Sequence, residues 1–240
     1  MNLINASVNH CVRCFVFTSS IAVYGAAQTP MTEDIYPLPE DSYGVAKLAV
    51  ENELRASKHM FGLDYVIFRP HNVYGERQNI GDRYRNVVGI FMNQLLKGEP
   101  MTVFGDGTQK RAFTHIDDVA PIIANSVNVP EMRNQIFNVG ADLPYSVNEL
   151  AQVVAQAMGA ECRVKRLPAR KEVKEAFSDH SKCDTVFGSR ERIGLQEGIR
   201  RMAEWVKKHG ARASGVFEHI EVMINMPESW AALIKGRDGK

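Results

Sequence analysis

An α/β fold built on a parallel sheet is predicted for this chain by two observations. Short apolar runs that read as strands alternate with longer amphipathic stretches that read as helices. The strand-like runs, Cys14 to Thr18 and Asp64 to Phe68, are apolar along almost their whole length, as strands covered on both faces must be. At 240 residues the chain suffices for one large domain, or for a domain with a smaller lobe.

In chain order, residues 2–9 read as helical turns, and Cys14 to Thr18 as the first strand. The stretch from Thr29 to Asp41 carries Pro30, Pro37 and Pro39 among acids and reads as a surface loop. A helix follows from about Ser42 to Met60, with Val45, Leu48, Ala49 and Leu54 at helical spacing and Gly62 as its stop. Asp64 to Phe68 is a strand halted at Arg69-Pro70. A helix spans Asn86 to Leu96, ended by Gly98, and strands Met101 to Phe104 and Ala112 to Ile116 flank the turn Gly105-Asp106-Gly107. Asp117 and Asp118 suit the positive end of a helix reaching Val127. Ile136 to Val139 is a strand. Ser146-Val147-Asn148-Glu149 is a capping box opening a helix to Met158. Glu161 to Arg166 reads as a strand and Gly194 to His209 as a final amphipathic helix. Three regions result: 1–80 with the first strands, 81–210 with a mixed lobe, and a tail at 211–240 of unassigned structure.

Composition removes several function classes. A net charge of +1 gives no broad field for nucleic acid or an anionic membrane. No apolar stretch approaches the roughly 18 residues that suggest a membrane span, and the first residues lack the basic start and apolar core of a secretion signal. The expected location is the cytoplasm. Cys11 and Cys14 form a C-x-x-C, yet Cys162 and Cys183 stand too far apart for a second metal half-site. Cys14 opens an apolar run, where cysteine acts as a small hydrophobe. No metal is expected.

The chemistry gathers around Ser42-Tyr43-Gly44-Val45-Ala46-Lys47. Tyr43 and Lys47, four apart on a helix, share one face a turn apart. An ammonium so placed favours a phenolate over a phenol. A Ser hydroxyl from Thr18-Ser19-Ser20-Ile21-Ala22-Val23-Tyr24-Gly25, arriving from the end of the first strand, could meet a substrate oxygen. These are parts for moving the proton of a sugar or alcohol hydroxyl. Tyr43 and Lys47 taken alone also fit a solvated surface pair, and Ser20 alone also fits a turn residue.

The ordered set of motifs decides between these readings. S-S-x-x-V-Y-G is followed by Y-G-x-x-K, R-P-x-N-V-Y-G, F-G-D-G-x-x-x-R and F-N-V-G. The chain from 1 to about 210 thereby resembles the extended short-chain dehydrogenase/reductases, within them the NAD-dependent epimerase/dehydratase family, and in particular its UDP-glucose 4-epimerase branch. The resemblance implies a Rossmann-like sheet and a smaller C-terminal substrate-binding lobe. It implies Ser20, Tyr43 and Lys47 as catalytic residues, and Tyr43, Lys47, Pro70 and His71 against NAD. Asn72, Asn86, Val103, Phe104, Arg111 and Arg170 would join Ser20 and Tyr43 on the nucleotide-sugar, a UDP-hexose. The family often has an acid after the arginine matched by Arg111; here Ala112 and Phe113 follow.

The implied reaction is transient oxidation and re-reduction at the sugar's C4. Related 4,6-dehydratases carry acids just after the catalytic hydroxyl residue, and decarboxylases a nearby Glu. Here Ile21 and Ala22 occupy those positions, which disfavours elimination. The 240 residues contain no G-x-x-G-x-x-G turn. The resemblance implies that the first strands of the sheet and that pyrophosphate-holding turn lie upstream of Met1. Two expectations of different class follow: the catalytic and substrate part of a 4-epimerase, inactive if the missing turn is indispensable, or a non-catalytic protein that binds nucleotide-sugar or serves as a partner subunit. Relatives dimerise through two helices, of which residues 2–9 would represent one only in part.

Overall fold

The computed structural model describes residues 1–82, 86–170 and 173–213. Helix α1 (Asn2–Asn9) leads to strand β1 (Phe15–Thr18) and a 3-10 turn over Ile21–Tyr24. Helix α2 (Ser42–Phe61), strands β2 (Tyr65–Pro70) and β3 (Val73–Tyr74), and helix α3 (Val87–Leu96) come next. Strands β4 (Met101–Phe104), β5 (Lys110–Ala112) and β6 (Thr114–His115) precede helix α4 (Ile116–Asn125). Strands β7 (Gln135–Val139) and β8 (Pro144–Ser146), helix α5 (Val147–Met158), and strands β9 (Val164–Leu167) and β10 (Glu175–Ala176) follow. Helices α6 (Ser181–Phe187) and α7 (Leu195–His209) complete the order. Residues 214–240 of the unassigned tail lie outside the described residues.

The sheet that matters for the site is parallel, in the order β1-β2-β7, with Phe17 level with Ile67 and Ile67 level with Ile136. Its central strand explains why the sequence is apolar without alternation. Val66 and Phe68 pack on one face with Val119, Ile122 and Phe137. Tyr65 and Ile67 pack on the other with Ile4, Leu54 and Leu63. Each such fully buried aliphatic or aromatic side chain contributes roughly 1.5–3 kcal/mol relative to exposure. Helix α2 lies on this second face. Asp41 caps it by accepting from Gly44 N at 2.6 Å, and Gly62 stops it in the left-handed conformation at φ 76°.

A second core lies in the lobe, where Phe91, Met92, Met101, Val103, Leu150, Val154, Ile199, Met202 and Val206 are buried together. There β4 pairs in parallel with β9, and β5 lies between β10 and β8. The capping box at Ser146 and Glu149 forms as read from the sequence.

Three element readings need correction. The strand expected over Ala112 to Ile116 breaks at Phe113, because β5 pairs with β10 and β8 while β6 pairs with β3, and it stops at His115, whose Nδ1 accepts from Asp117 N at 3.2 Å as Ile116 starts α4. The strand expected from Glu161 begins at Val164 and runs to Leu167. Helix α6 was not anticipated. Its sequence, S-K-C-D-T-V-F, is too short and too polar to give a clear period. Cys14 does pack beside the Phe68–Phe137 cluster as a small hydrophobe. Among the described residues no helix is long and apolar enough to cross a membrane.

Candidate active site

The carboxyl ends of β1 and β2 open into a cavity of about 1000 Å³. In open parallel sheets this is where ligands bind. Ser20, Tyr43, Lys47, Pro70, His71, Asn72, Asn86 and Arg111 all line it. Residues as far apart in sequence as Ser20 and Arg111 thus meet around one space.

On the first wall, Ser20 is extended (φ −164°, ψ 154°) and opens the 3-10 turn, its Oγ accepting from Ala22 N at 3.1 Å. Tyr43 stands half exposed in the first turn of α2. That turn lies directly on the Ile21–Tyr24 turn. A Cβ on Gly44 would sit 2.6 Å from Ala22 O and 2.9 Å from Pro39 Cβ, so only glycine permits the approach. Lys47 Nζ donates to Thr18 O at 2.7 Å and lies 5.6 Å from the Tyr43 ring centroid and 5.0 Å from that of Phe17. Burial lowers the Lys47 pKa from its ordinary value. With one proton on Thr18 O, the ammonium keeps two donors for hydroxyls in the cavity.

Beneath this wall lies a network absent from the sequence reading. Tyr43, Lys47 and Glu51 recur at intervals of four along one stripe of α2. Glu51 is fully buried and takes Arg69 through both oxygens, Nε to Oε1 at 3.0 Å and Nη2 to Oε2 at 2.6 Å. Ser19 Oγ donates to the same Oε1 at 2.5 Å. The Arg69 guanidinium lies 4.6 Å from the Tyr24 ring centroid, and Tyr24 Oη donates to Asn138 Oδ1 at 2.8 Å. Burial works against the charge on Arg69, but its hydrogen bonds to Glu51 and the charges nearby carry its pKa upward. Burial raises the pKa of Tyr24. Four of the five sequence motifs are thereby locked to one another: S-S and V-Y-G through Ser19 and Tyr24, the Tyr-Lys helix through Glu51, R-P through Arg69, and F-N-V-G through Asn138.

The second wall runs through Pro70, His71 and Asn72. Asn72 adopts a left-handed backbone (φ 40°), and its Nδ2 donates to Ala112 O at 3.0 Å. His71 is buried, and its Nδ1 lies 3.0 Å from the same carbonyl oxygen. Burial, followed by the charge of His180, pushes the His71 pKa down to about 4. Arg111 is braced by backbone carbonyls, Nη1 donating to Lys110 O at 2.8 Å and Nη2 to Val173 O at 2.5 Å. Asn86, left-handed at φ 61°, precedes α3 at the cavity edge.

Three sequence-derived residues do not line this cavity. Val103 alternates inward on β4 and is buried in the lobe core at 1% exposure, so its side chain cannot frame a ligand ring. Its neighbour Phe104 points the other way and is half-buried. The Arg170 guanidinium lies 3.3 Å from the Phe104 ring centroid, making these two a stacked pair. Lys171 and Glu172, from the same motif, lie outside the described residues. Conversely, Glu40 and Asp41 line the cavity without having been singled out, and Asp41 is engaged in capping α2.

Residues 1–140 match the family described as the NAD dependent epimerase/dehydratase family. The chain belongs to this family. UDP-glucose 4-epimerase of Mycolicibacterium smegmatis is 33% identical over 199 residues, covering 82% of this chain and 63% of the relative. The solved UDP-glucose 4-epimerase of Thermotoga maritima, with UDP-glucose, superimposes with a TM-score of 0.80 at 30% identity, covering 86% of this chain and 67% of that one. UDP-glucuronic acid 4-epimerase of Bacillus cereus, solved with UDP-glucuronic acid and NAD, gives 0.79 at 27% identity, covering 86% and 65%. Relatives at lower identity include a dTDP-glucose 4,6-dehydratase of Actinoplanes sp.. This chain spans about two thirds of the length of these relatives.

The family's cofactor is NAD. The residues present fit the nicotinamide-ribose end of such a molecule. Lys47 offers two unused protons at a strand end, and the Pro70–Asn72 wall closes the same crevice.

Proposed function

We propose that this protein is an NAD-dependent UDP-sugar 4-epimerase of the UDP-glucose/UDP-galactose type. The observation that carries the reading is the convergence of Ser20, Tyr43 and Lys47 on one cavity whose next two lining residues, Ile21 and Ala22, cannot transfer protons. A 4,6-dehydratase needs an acid and a base at that point to remove and deliver protons at neighbouring carbons. The cavity does contain Glu40, but on the exposed loop before α2 rather than after Ser20.

Tyr43 takes the proton of the sugar's 4-hydroxyl and later returns it. Ser20 Oγ holds the same oxygen and keeps it aligned with the phenol as its charge changes. Lys47 binds ribose hydroxyls with its two spare protons and favours the phenolate through its charge. Lys47 and the Pro70–His71 wall would hold NAD, which when bound would supply a reversible hydride acceptor. Inversion at C4 requires the sugar to turn while its nucleotide stays fixed. Arg111 and Asn72 would anchor the diphosphate, with Asn86 at the sugar edge. The Phe104–Arg170 stack would flank the base.

Incubating the purified chain with NAD and UDP-galactose tests this directly. UDP-glucose should accumulate, and Tyr43→Phe should slow its formation by roughly 10²–10⁴-fold, the usual worth of a positioned acid–base group. Binding of UDP-galactose without turnover would favour a nucleotide-sugar-binding role instead. Release of a 4-keto-6-deoxy sugar would move the protein to the dehydratases.

A further inference from the structure

The second wall holds a pair of imidazoles to which the epimerase reading gives no proton-transfer role. His71 and His180 are both buried, at 4% and 2% exposure, with ring centroids 5.3 Å apart and Nε2 atoms 3.2 Å apart. Two ring nitrogens in hydrogen-bond contact need one proton between them. The outer nitrogens each need a proton of their own. His71 Nδ1 faces Ala112 O at 3.0 Å, and His180 Nδ1 faces Asp142 Oδ1 at 2.6 Å. A carbonyl and a carboxylate only accept. The two rings therefore carry three protons on four nitrogens, one more than two neutral imidazoles hold.

The surrounding charges call for that extra proton. Asp142 also meets Arg192 at 2.7 Å, and Arg192 in turn meets both oxygens of Asp184 at 2.9 and 3.0 Å. Two carboxylates on one guanidinium leave one negative charge, while Asp118 and Arg190 at the same small cavity offset each other. The room for the second ring is also specific. A Cβ on Gly140 would stand 2.5 Å from His71 Nε2 and 2.8 Å from Thr114 Oγ1.

We infer that His71 and His180 form a shared-proton imidazole pair, His180 donating from Nε2 to Nε2 of His71 with Asp142 as counter-ion, and that His180 is a positioning residue for the Pro70–Asn72 wall. The pair joins four stretches: the corner after β2, the end of β5, the loop after β7, and the approach to α6. It keeps the backbone of the wall in place. The depressed His71 pKa, about 4, agrees with a ring that accepts at Nε2. The inference stands whether or not the protein is an epimerase, because it concerns the unliganded chain.

A competing donor is present, since Ser178 Oγ lies 3.1 Å from His180 Nε2. Ring ¹⁵N NMR at neutral pH separates the two arrangements. The shared-proton pair gives His180 protonated at both nitrogens, His71 protonated only at Nδ1, and a scalar coupling across the Nε2–H···Nε2 bond that survives in Ser178→Ala. A singly protonated His180, or a coupling lost in Ser178→Ala, would overturn it. For the positioning role, His180→Leu should shift the His71 ring nitrogens and the Asn72 amide, and His180→Gln, which retains a side-chain donor, should restore them. Unmoved Asn72 and His71 signals in a folded His180→Leu would refute that role. Should His180→Leu fail to fold, His180→Gln and the wild-type coupling decide the question alone.

Discussion

The two walls of the cavity are built on opposite plans. On the first, the reactive side chains are exposed and the support is hidden: Tyr43 is half exposed, while Glu51 and Arg69 beneath it are buried. On the second, the distinctive side chains are themselves hidden, and mainly the edge of the wall, at Asn72, Asn86 and Arg111, is left to meet a ligand. In the proposed reaction the first wall lets a phenol exchange protons with a substrate that enters and leaves. The second only has to stay where it is. A buried ion pair with three hydrogen bonds holds the first, and a chain of imidazoles and carboxylates holds the second.

The contrast is sharpest in its expected failures. Removing Glu51 leaves the Arg69 guanidinium buried without its partner, a change that typically costs about 3–5 kcal/mol. Glu51→Ala should therefore lower the denaturant midpoint severely, and an unchanged midpoint would mean that the buried pair contributes no net stability. Gly44→Ala attacks geometry instead. Alanine normally favours a helix over glycine by about 1 kcal/mol, but here its Cβ meets the Ala22 carbonyl oxygen. Turnover of UDP-galactose should fall on the order of 100-fold as Tyr43 moves by about an ångström relative to Ser20. Steady-state kinetics at an unchanged fold would check this.

The second wall is sensitive to acid. His71 is held below the ordinary histidine value, so the unfolded chain binds more protons than the folded one as pH falls. Its contribution is complete above about pH 6.5 and is lost as pH drops toward 4, at up to about 1.4 kcal/mol per pH unit. Thermal unfolding across that window should steepen in wild type and flatten in His71→Asn. Outside the cavity lining, Ser146→Ala should cost about 1 kcal/mol by removing the cap of α5, with turnover unaffected.

Much of this was legible in the residues. Long periodic segments declared themselves, as at α2, where the end of the proline-rich loop, Gly62 and the apolar spacing gave both ends nearly to the residue. The sequence motifs also brought Ser20, Tyr43, Lys47, Pro70, His71, Asn72, Asn86 and Arg111 to one cavity. What could not be read depended on side-chain direction and on distant pairing. Val103 turns inward because strand alternation in β4 puts Phe104 outward, a phase that one short apolar run does not reveal. Glu51 gave a signal that went unused, as the third member of the Tyr43–Lys47 stripe. His180 gave none: it sits 109 positions from His71 in a polar segment, and only the fold brings the rings together.

The most direct measurement follows the hydrogen itself. UDP-galactose carrying deuterium at C4 should be converted with NAD to UDP-glucose that retains the label at C4, by the wild-type protein and far more slowly by Tyr43→Phe. Loss of the label to water, or equal rates in the two proteins, would contradict a site in which Tyr43 moves only the hydroxyl proton.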